Sequence, residues 1–384
     1  MNNYLGKILN KQILFITGTR ADFGKLKPLM ESVDKSNFFN CNIFVTGMHL
    51  LSRYGSTHDE IRKSGFKKLY LFMNQIAIVE NHQMDMILGK TIEGLGHYIR
   101  EFKTDLIVVH GDRVEALAGA VVGALNNILV CHIEGGELSG TVDELIRHSI
   151  TKLSHVHFVA NDTAKNRLMQ MGEADSSVFI IGSPEVDIML SEKLPDIEDV
   201  KKRYDIHFEN YNIFTYHPVT TELNDLQKKI KFVINALVLS EEKYVIIYPN
   251  NDSGSDIIFS ELQKLHENKN FKFFPSIRFE YYISLMKNAE KVIGNSSAGV
   301  REASVFGIPS INIGTRQSNR GQYESIINVD ENELEILEAI KNVPKRFNPS
   351  LNFGRGESAK SFMSTISKKS FWNIPNQKQF KDII

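Results

Sequence analysis

Residues 105–137 read DLIVVHGDRVEALAGAVVGALNNILVCHIEGGE. Asp105–Val109 and Ile128–Ile133 are short and aliphatic, without the polar alternation of a half-exposed strand. Strands apolar throughout are buried on both faces, which points to a parallel sheet covered by helices. Glu115–Asn126 between them carries helical spacing, so the stretch reads as strand, helix, strand. Asn126 and Asn127 interrupt the apolar run from Ala116 to Ile133, which favours a buried helix feeding a buried strand over a membrane span.

The same alternation extends outward. Ile13–Thr17, Asn42–Thr46, His157–Ala160 and Val178–Ile181 read as strands, with helical spacing in Asp22–Asp34, Gln83–Phe102, Val142–Ser154 and Asp162–Met171. A charged, aliphatic-poor segment follows, Ser191–Tyr211, whose charge run suits a solvated helix face and falls where a linker is expected. The pattern then restarts. Ile213–Tyr216, Tyr244–Tyr248, Phe271–Phe274, Lys291–Ile293 and Ser310–Ile313 read as strands, and Leu223–Leu239, Asp256–Glu267, Glu280–Ala289 and Ala298–Phe306 as helices. The expected fold class is α/β, with two Rossmann-like, doubly wound domains over 1–188 and 189–365 and a ligand cleft beyond the carboxyl ends of the strands.

Bulk properties narrow the function. The 384 residues suffice for two domains, and 45 basic against 46 acidic side chains argue against a nucleic-acid surface working by bulk electrostatics. Cys41 and Cys131 are far apart, so neither a disulfide framework nor a zinc-thiolate site is indicated. Met1–Lys11 is polar and Ile13–Ile16 is too short for a signal peptide, so a soluble, cytoplasmic protein with no membrane partner is expected.

Ionisable residues gather at the ends of the strands. The first runs into Gly18-Thr19-Arg20-Ala21-Asp22-Phe23-Gly24-Lys25, which has one residue too many between its glycines for a P-loop and lacks its hydroxyl residue. A glycine turn opening a helix, with Arg20 as the charge, suits an anion; a tight turn with a surface arginine is the plainer alternative. The next delivers His110, Asp112 and Arg113, where a helix cap by Asp112 is the competing reading. In Cys131–Glu137, His132 and Glu134 share a strand face and Gly135-Gly136 permits close backbone approach. His-x-Glu without a downstream Pro-Cys-x-x-Cys excludes a zinc deaminase. Asp143 and Arg147 stand one turn apart on the following helix, the spacing of an ordinary surface pair as well. His110, His132, His155 and His157 have no spacing that would fix metal geometry, so they are expected to be core or polar-network histidines, with no metal site.

In the second half, Tyr216-His217-Pro218 and Pro249–Asp252 end strands. Lys291–Glu302 reads as a strand, a small polar turn and a helix with Glu302 near its start. Free N–H groups with the hydroxyls of Ser296 and Ser297 suit a pyrophosphate, and a carboxylate one turn on can accept two ribose hydroxyls. A plain N-cap role for Ser297 is the simpler alternative.

With Gly18–Gly24, His110–Arg113, the stretch His132–Thr141, Ile146–His148, His217–Thr221, Gly294–Ser297 and Gly314–Gln317, the chain resembles the hydrolysing UDP-N-acetylglucosamine 2-epimerases of bacterial sialic-acid synthesis. The resemblance covers nearly the whole chain. It implies the glycosyltransferase-B arrangement, with a C-terminal helix, 366–384, crossing back to the first domain. It also implies that Ser296, Ser297 and Arg20 hold the diphosphate, that Gly24 belongs to the substrate-binding set, that Glu302 holds the ribose, and that Asn250 and the backbone near Ile277 hold the uracil. By the same resemblance Arg113, His217 and Arg316 would complete the substrate set, and Asp112, Glu134 and Asp143 match the family's catalytic carboxylates, with Arg147 beside them. Further implied are a UDP-sugar substrate, no cofactor and a homodimer or homotetramer. A glycosyltransferase, a non-hydrolysing 2-epimerase, an epimerase for UDP-2,4-diacetamido-2,4,6-trideoxyglucose and a two-domain binding protein are the alternatives that fit the same architecture.

Overall fold

A computed structural model describes residues 10–75, 84–139, 142–250, 252–318, 323–379 and 381–382. Gln83, Gly140, Thr141, Asn251 and the first nine residues, on which parts of the sequence reading fall, lie outside the described residues. The chain divides into two compact units: Met1–Glu137, Asp143–Ser191 and Asn352–Ile384 in the first, and Leu138–Val142 and Glu192–Leu351 in the second.

The first unit runs β1 (Lys11–Thr17), α1 (Arg20–Asp34), β2 (Phe39–Val45), α2 (His58–Lys63), β3 (Leu69–Leu71), α3 (Met84–Glu101), β4 (Leu106–His110), α4 (Val114–Leu125), β5 (Leu129–Ile133), α5 (Val142–Leu153), β6 (Val156–Val159), α6 (Asp162–Gln170), β7 (Val178–Ile180) and α7 (Pro184–Met189). Its sheet is parallel in the order β3-β2-β1-β4-β5-β6-β7. Alternate residues of each apolar strand serve opposite layers. Ile13, Phe15 and Val108 join Leu26, Leu29 and Val33 of α1 in one core. On the other face a Cβ added to Gly119 of α4 would meet Ile16 at 2.3 Å and Val109 at 2.8 Å, so glycine lets that helix lie close to the sheet. Helices on both faces explain why the strands are apolar throughout.

The second unit runs α8 (Ile197–Tyr204), β8 (Asn212–Thr215), α9 (Leu226–Leu239), β9 (Tyr244–Ile247), α10 (Ser255–Gln263), β10 (Phe271–Phe274), α11 (Phe279–Lys287), β11 (Val292–Gly294), α12 (Ser297–Val300), α13 (Glu302–Val305), β12 (Ser310–Ile313), β13 (Ile326–Val329) and α14 (Glu333–Asn342). Its sheet is also parallel, in the order β10-β9-β8-β11-β12-β13. Phe214, Ile246 and Ile311 pack with Ile230 and Val233 of α9, while Ile213, Val245 and Val292 pack with Leu285 and Met286 of α11. The two parallel α/β sheets bear out the expected fold class.

The charge run near residue 200 forms the expected solvated helix, α8, with Val200 buried and the N-cap Asp196 accepting from Glu198 N. Two readings differ from the structure. Ala298–Phe306 is not one helix: the chain breaks at Arg301 between α12 and α13. The return to the first unit begins at Asn352, ahead of the expected limit at 365, and its helix is α15 (Ser358–Ile366). Over 366–384 the described residues hold only the end of α15 and a 3-10 turn at Phe371–Asn373. Asn373 and Pro375 suit a chain that leaves helix there. The carboxylate of Asp187 caps α15, accepting from Ser358 N and Ala359 N, both at 2.8 Å, and Phe362, Ile366 and Phe371 seal the first core.

Candidate active site and nucleotide site

In each sheet the strand order reverses next to the first strand of its unit, between β1 and β4 and between β8 and β11. At such a reversal the loops leave to opposite sides and open a crevice at the carboxyl ends of the strands. The sequence-derived residues sit on these loops or on the helices just beyond them.

In the first unit, Thr19 caps α1, accepting from Asp22 N at 3.1 Å, and one oxygen of Asp22 accepts from Gly18 N at 3.1 Å. The other Asp22 oxygen lies 3.0 Å from Nδ1 of His110, at the end of β4. Nε2 of the same ring lies 2.8 Å from Oε2 of Glu134. Glu134 has φ +70°, a left-handed conformation that side chains other than glycine rarely adopt and that marks stored strain. It is held there from several directions. Its N–H donates to Phe158 O at 3.1 Å, and Nη1 of Arg147 donates to its carbonyl at 2.6 Å and reaches its Oε1 at 3.4 Å. The other terminal nitrogen of Arg147 pairs with Asp112. Arg147 is 1% exposed, so both carboxylates depend on a guanidinium that water scarcely screens.

The result is an alternating chain, Asp22–His110–Glu134–Arg147–Asp112, with three carboxylates against two cations. Burial alone would push the His110 imidazole down, but Glu134 and Asp22 outweigh it and hold it up at about 9. His132 lies beneath, its Nε2 2.9 Å from Gly111 O and its Nδ1 3.1 Å from Thr151 Oγ1. Burial pushes that ring down to about 3, so it is neutral. His157 bonds Glu173 at 3.0 Å. Among the described residues, no group of three or more His, Cys, Asp or Glu could hold a metal ion.

The remaining first-unit residues are placed differently from one another. Asp143 is in the first turn of α5, one turn before Arg147. Arg113 precedes α4, with Nε 3.6 Å from Oε2 of the buried Glu115. Arg20 opens α1 and pairs with Glu60 at 2.6 Å. Gly24 lies a full turn inside α1, within the expected helix, where its amide belongs to the helical ladder; the turn itself is made by Gly18 and Thr19.

In the second unit the hub is Asn295, a residue of the polar turn that is not among the expected site residues. Its N–H donates to Thr215 O at 3.2 Å, its Oδ1 accepts from His217 N at 2.7 Å and its Nδ2 donates to His217 O at 2.8 Å. Its carbonyl accepts from Arg316 Nη1 at 3.2 Å and Gln317 Nε2 at 2.9 Å. Nδ1 of His217 accepts from Asn250 N at 3.1 Å, which fixes that nitrogen as unprotonated. Residues from four strand ends are thus tied together: His217, Asn250, Asn295 and Arg316. Ser296, not Ser297, is the N-cap, accepting from Ala298 N at 3.4 Å, and Ser297 is the first residue of α12. Glu302 opens α13, buried, and adds to burial in raising the phenol of Tyr282. Ile277 belongs to the core beneath, packed with Val245 and Leu285.

Residues 31–367 match the protein family described as UDP-N-acetylglucosamine 2-epimerase. The chain belongs to this family. It is 47% identical over 378 residues, 97% of this chain and 99% of the other, to a UDP-N-acetylglucosamine 2-epimerase of Neisseria meningitidis serogroup B. It is 32% identical over 339 residues to a UDP-N,N'-diacetylbacillosamine 2-epimerase (hydrolyzing) of Legionella pneumophila, covering 87% of this chain and 90% of that one. The solved UDP-GlcNAc 2-epimerase of Methanocaldococcus jannaschii in complex with UDP-GlcNAc and UDP superposes with a TM-score of 0.77 at 22% identity, covering 92% of this chain and 98% of that one, which shows the shared fold.

The His110 charge makes a stability prediction. Its folded-state value, about 9, lies above the ordinary 6.5, so its contribution is complete below the ordinary value and is lost as pH rises through the folded one. Urea unfolding should show stability falling from about pH 7 to about pH 10, with a flatter profile in His110→Gln. Identical slopes in the two proteins would place the charge elsewhere.

Proposed function

We propose that the protein is a hydrolysing UDP-N-acetylglucosamine 2-epimerase, converting UDP-N-acetylglucosamine and water to N-acetylmannosamine and UDP and feeding sialic-acid synthesis. The observation that carries this reading is the joining of Asp112 and Glu134 through buried Arg147, at the carboxyl ends of β4 and β5, in a chain of this family.

The C2 hydrogen of a 2-acetamido sugar is not acidic enough for direct exchange, so inversion needs an intermediate. A carboxylate takes the C2 proton, the C2–H electrons form a C1=C2 bond, and the C1–O bond breaks with its electrons leaving on UDP. Water then adds its oxygen to C1, giving up one proton to a carboxylate, while a carboxylic acid returns a proton to C2 from the opposite face. Electrons balance without an oxidant, so the route requires no nicotinamide. Asp112, Glu134 and Asp143 supply the carboxylates. Arg147 and His110 hold Asp112 and Glu134 in place by charge. His217, Asn250, Arg316 and the Ser296–Ser297 turn, with Glu302 for the ribose, bind the UDP moiety; Arg20 and Arg113 add positive charge for the leaving diphosphate.

Incubation with UDP-N-acetylglucosamine and no acceptor tests the reading. Free UDP and free N-acetylmannosamine are expected, with deuterium at C2 when the reaction runs in deuterated water. A UDP-linked epimer would indicate the non-hydrolysing reaction, and unlabelled product would defeat the elimination route. The Legionella relative favours a second substrate, UDP-N,N'-diacetylbacillosamine, which is UDP-2,4-diacetamido-2,4,6-trideoxyglucose, and kcat/KM on it and on UDP-N-acetylglucosamine decides between them.

A further inference from the structure

Lys378 lies far along the chain from the carboxylates, in the segment that follows Pro375. Its ammonium sits at the C-terminus of α5, donating to the carbonyls of Thr151 at 3.0 Å, Lys152 at 3.2 Å and Ser154 at 2.8 Å. A helix leaves its last carbonyls unpaired, and its dipole favours positive charge there. The same ammonium pairs with Glu173 at 2.5 Å, and Glu173 also meets Lys152 at 2.9 Å and His157 at 3.0 Å. Burial alone would push the Glu173 carboxyl up, but His157 and Lys378 outweigh it and hold it down at about 2. Asn376 fastens the segment a second time. Its carbonyl accepts from His155 Nε2 at 2.8 Å and its Nδ2 donates to Asn127 O at 2.6 Å, while His155 Nδ1 accepts from Val130 N of β5 at 3.0 Å.

The two elements so fastened, α5 and β5, carry Asp143 and Arg147 on one and lead into Glu134 on the other. Thr151, whose carbonyl Lys378 takes, is also the hydroxyl partner of His132, and His132 holds the carbonyl of Gly111 beside Asp112. We infer that Lys378 is a positioning residue: by locking the far end of α5 to the C-terminal segment, it sets where Arg147 and Asp143 stand against Asp112 and Glu134. The inference rests on the reaction proposed above. A displacement of about 1 Å at reacting groups costs on the order of 100-fold, so a loosened α5 affects turnover more than binding.

Steady-state kinetics with UDP-N-acetylglucosamine test it, at a temperature where circular dichroism shows each variant folded. Lys378→Met should lower kcat by roughly 10- to 100-fold with KM unchanged, and Lys378→Arg should recover most of the loss. Lys378→Met leaves Glu173 short of a cation and so endangers folding. Asn376→Ala loosens the segment without that penalty and should lower kcat by a smaller factor, again at constant KM. Wild-type kcat in either folded variant overturns the inference, whatever happens to Tm. Absence of turnover in the wild-type protein defeats the reaction instead. Hydrogen exchange then judges the anchoring by itself: faster exchange in Val142–Leu153 of Lys378→Met supports it, and unchanged exchange overturns it.

Discussion

Arg147→Met should abolish turnover, lowering kcat by about 10³-fold or more, and should cost the fold about 3–5 kcal/mol in urea unfolding. The magnitude follows from where the guanidinium stands. Arg147 is 1% exposed and joins Asp112, the Glu134 carboxylate and the Glu134 carbonyl. With a neutral thioether in its place, the buried Glu134 and the part-buried Asp112 are left with one fewer cation. Either one of them takes a proton, and the site loses a base, or the loop that holds Glu134 in its strained conformation moves. Arg147→Lys should recover little, because a single ammonium cannot span both carboxylates and the carbonyl as the planar fork does. The experiment separates the two costs. A folded Arg147→Met with kcat within tenfold of wild type would make the residue a structural bracket and remove it from the reaction.

Much of the fold was legible because the signal lies along the chain. Runs such as Leu106–Val109 and Leu129–Ile133 have no polar alternation, and only a doubly covered parallel strand requires that. Elements marked by weaker local signals escaped. The three residues of β3 and the partly exposed β13 do not separate from loop by composition. The break at Arg301 falls in a segment without proline, between α12, which packs on β11 and β12, and α13, so no residue type marks it in the sequence.

The site was legible residue by residue but not as a constellation. Asp112, Glu134 and Arg147 could be chosen because each follows a strand or lies on the helix beyond it. The partnership of Glu134 with His110 could not, nor that of His110 with Asp22. These pairs form across neighbouring parallel strands, β1 with β4 and β4 with β5, and their registers are decided by the sheet. The same holds for Asn295, whose polar turn offered three candidate side chains and no means of telling which would become the hub. The helix after β1 begins two residues ahead of the expected Asp22, because Thr19 caps it.

Gly294→Ala should be as damaging in the second unit as Arg147→Met is in the first, although it adds one methyl group. Gly294 has φ +127°, a region open to glycine and closed to side chains, and an added Cβ would stand 2.0 Å from Thr215 O. The obstacle is backbone, and it belongs to the residue that Gly294 pairs with across β11 and β8. Relief therefore requires the two strands to part at the topological reversal, which breaks the Asn295 N–H to Thr215 O bond and frees Asn295 from His217. Strain and overpacking together should cost about 3 kcal/mol or more. In urea the second unit should unfold at lower denaturant than the first, splitting the transition, and calorimetric titration should show UDP affinity lost. Gly89→Ala supplies the control. Gly89 lies on the exposed face of α3 with nothing within 4 Å of an added Cβ, so that variant should gain about 0.5–1 kcal/mol from helix propensity alone. If Gly294→Ala instead kept the wild-type midpoint and UDP affinity, β11 would have room to move, and the rigid reversal on which the proposed nucleotide site depends would have to be abandoned.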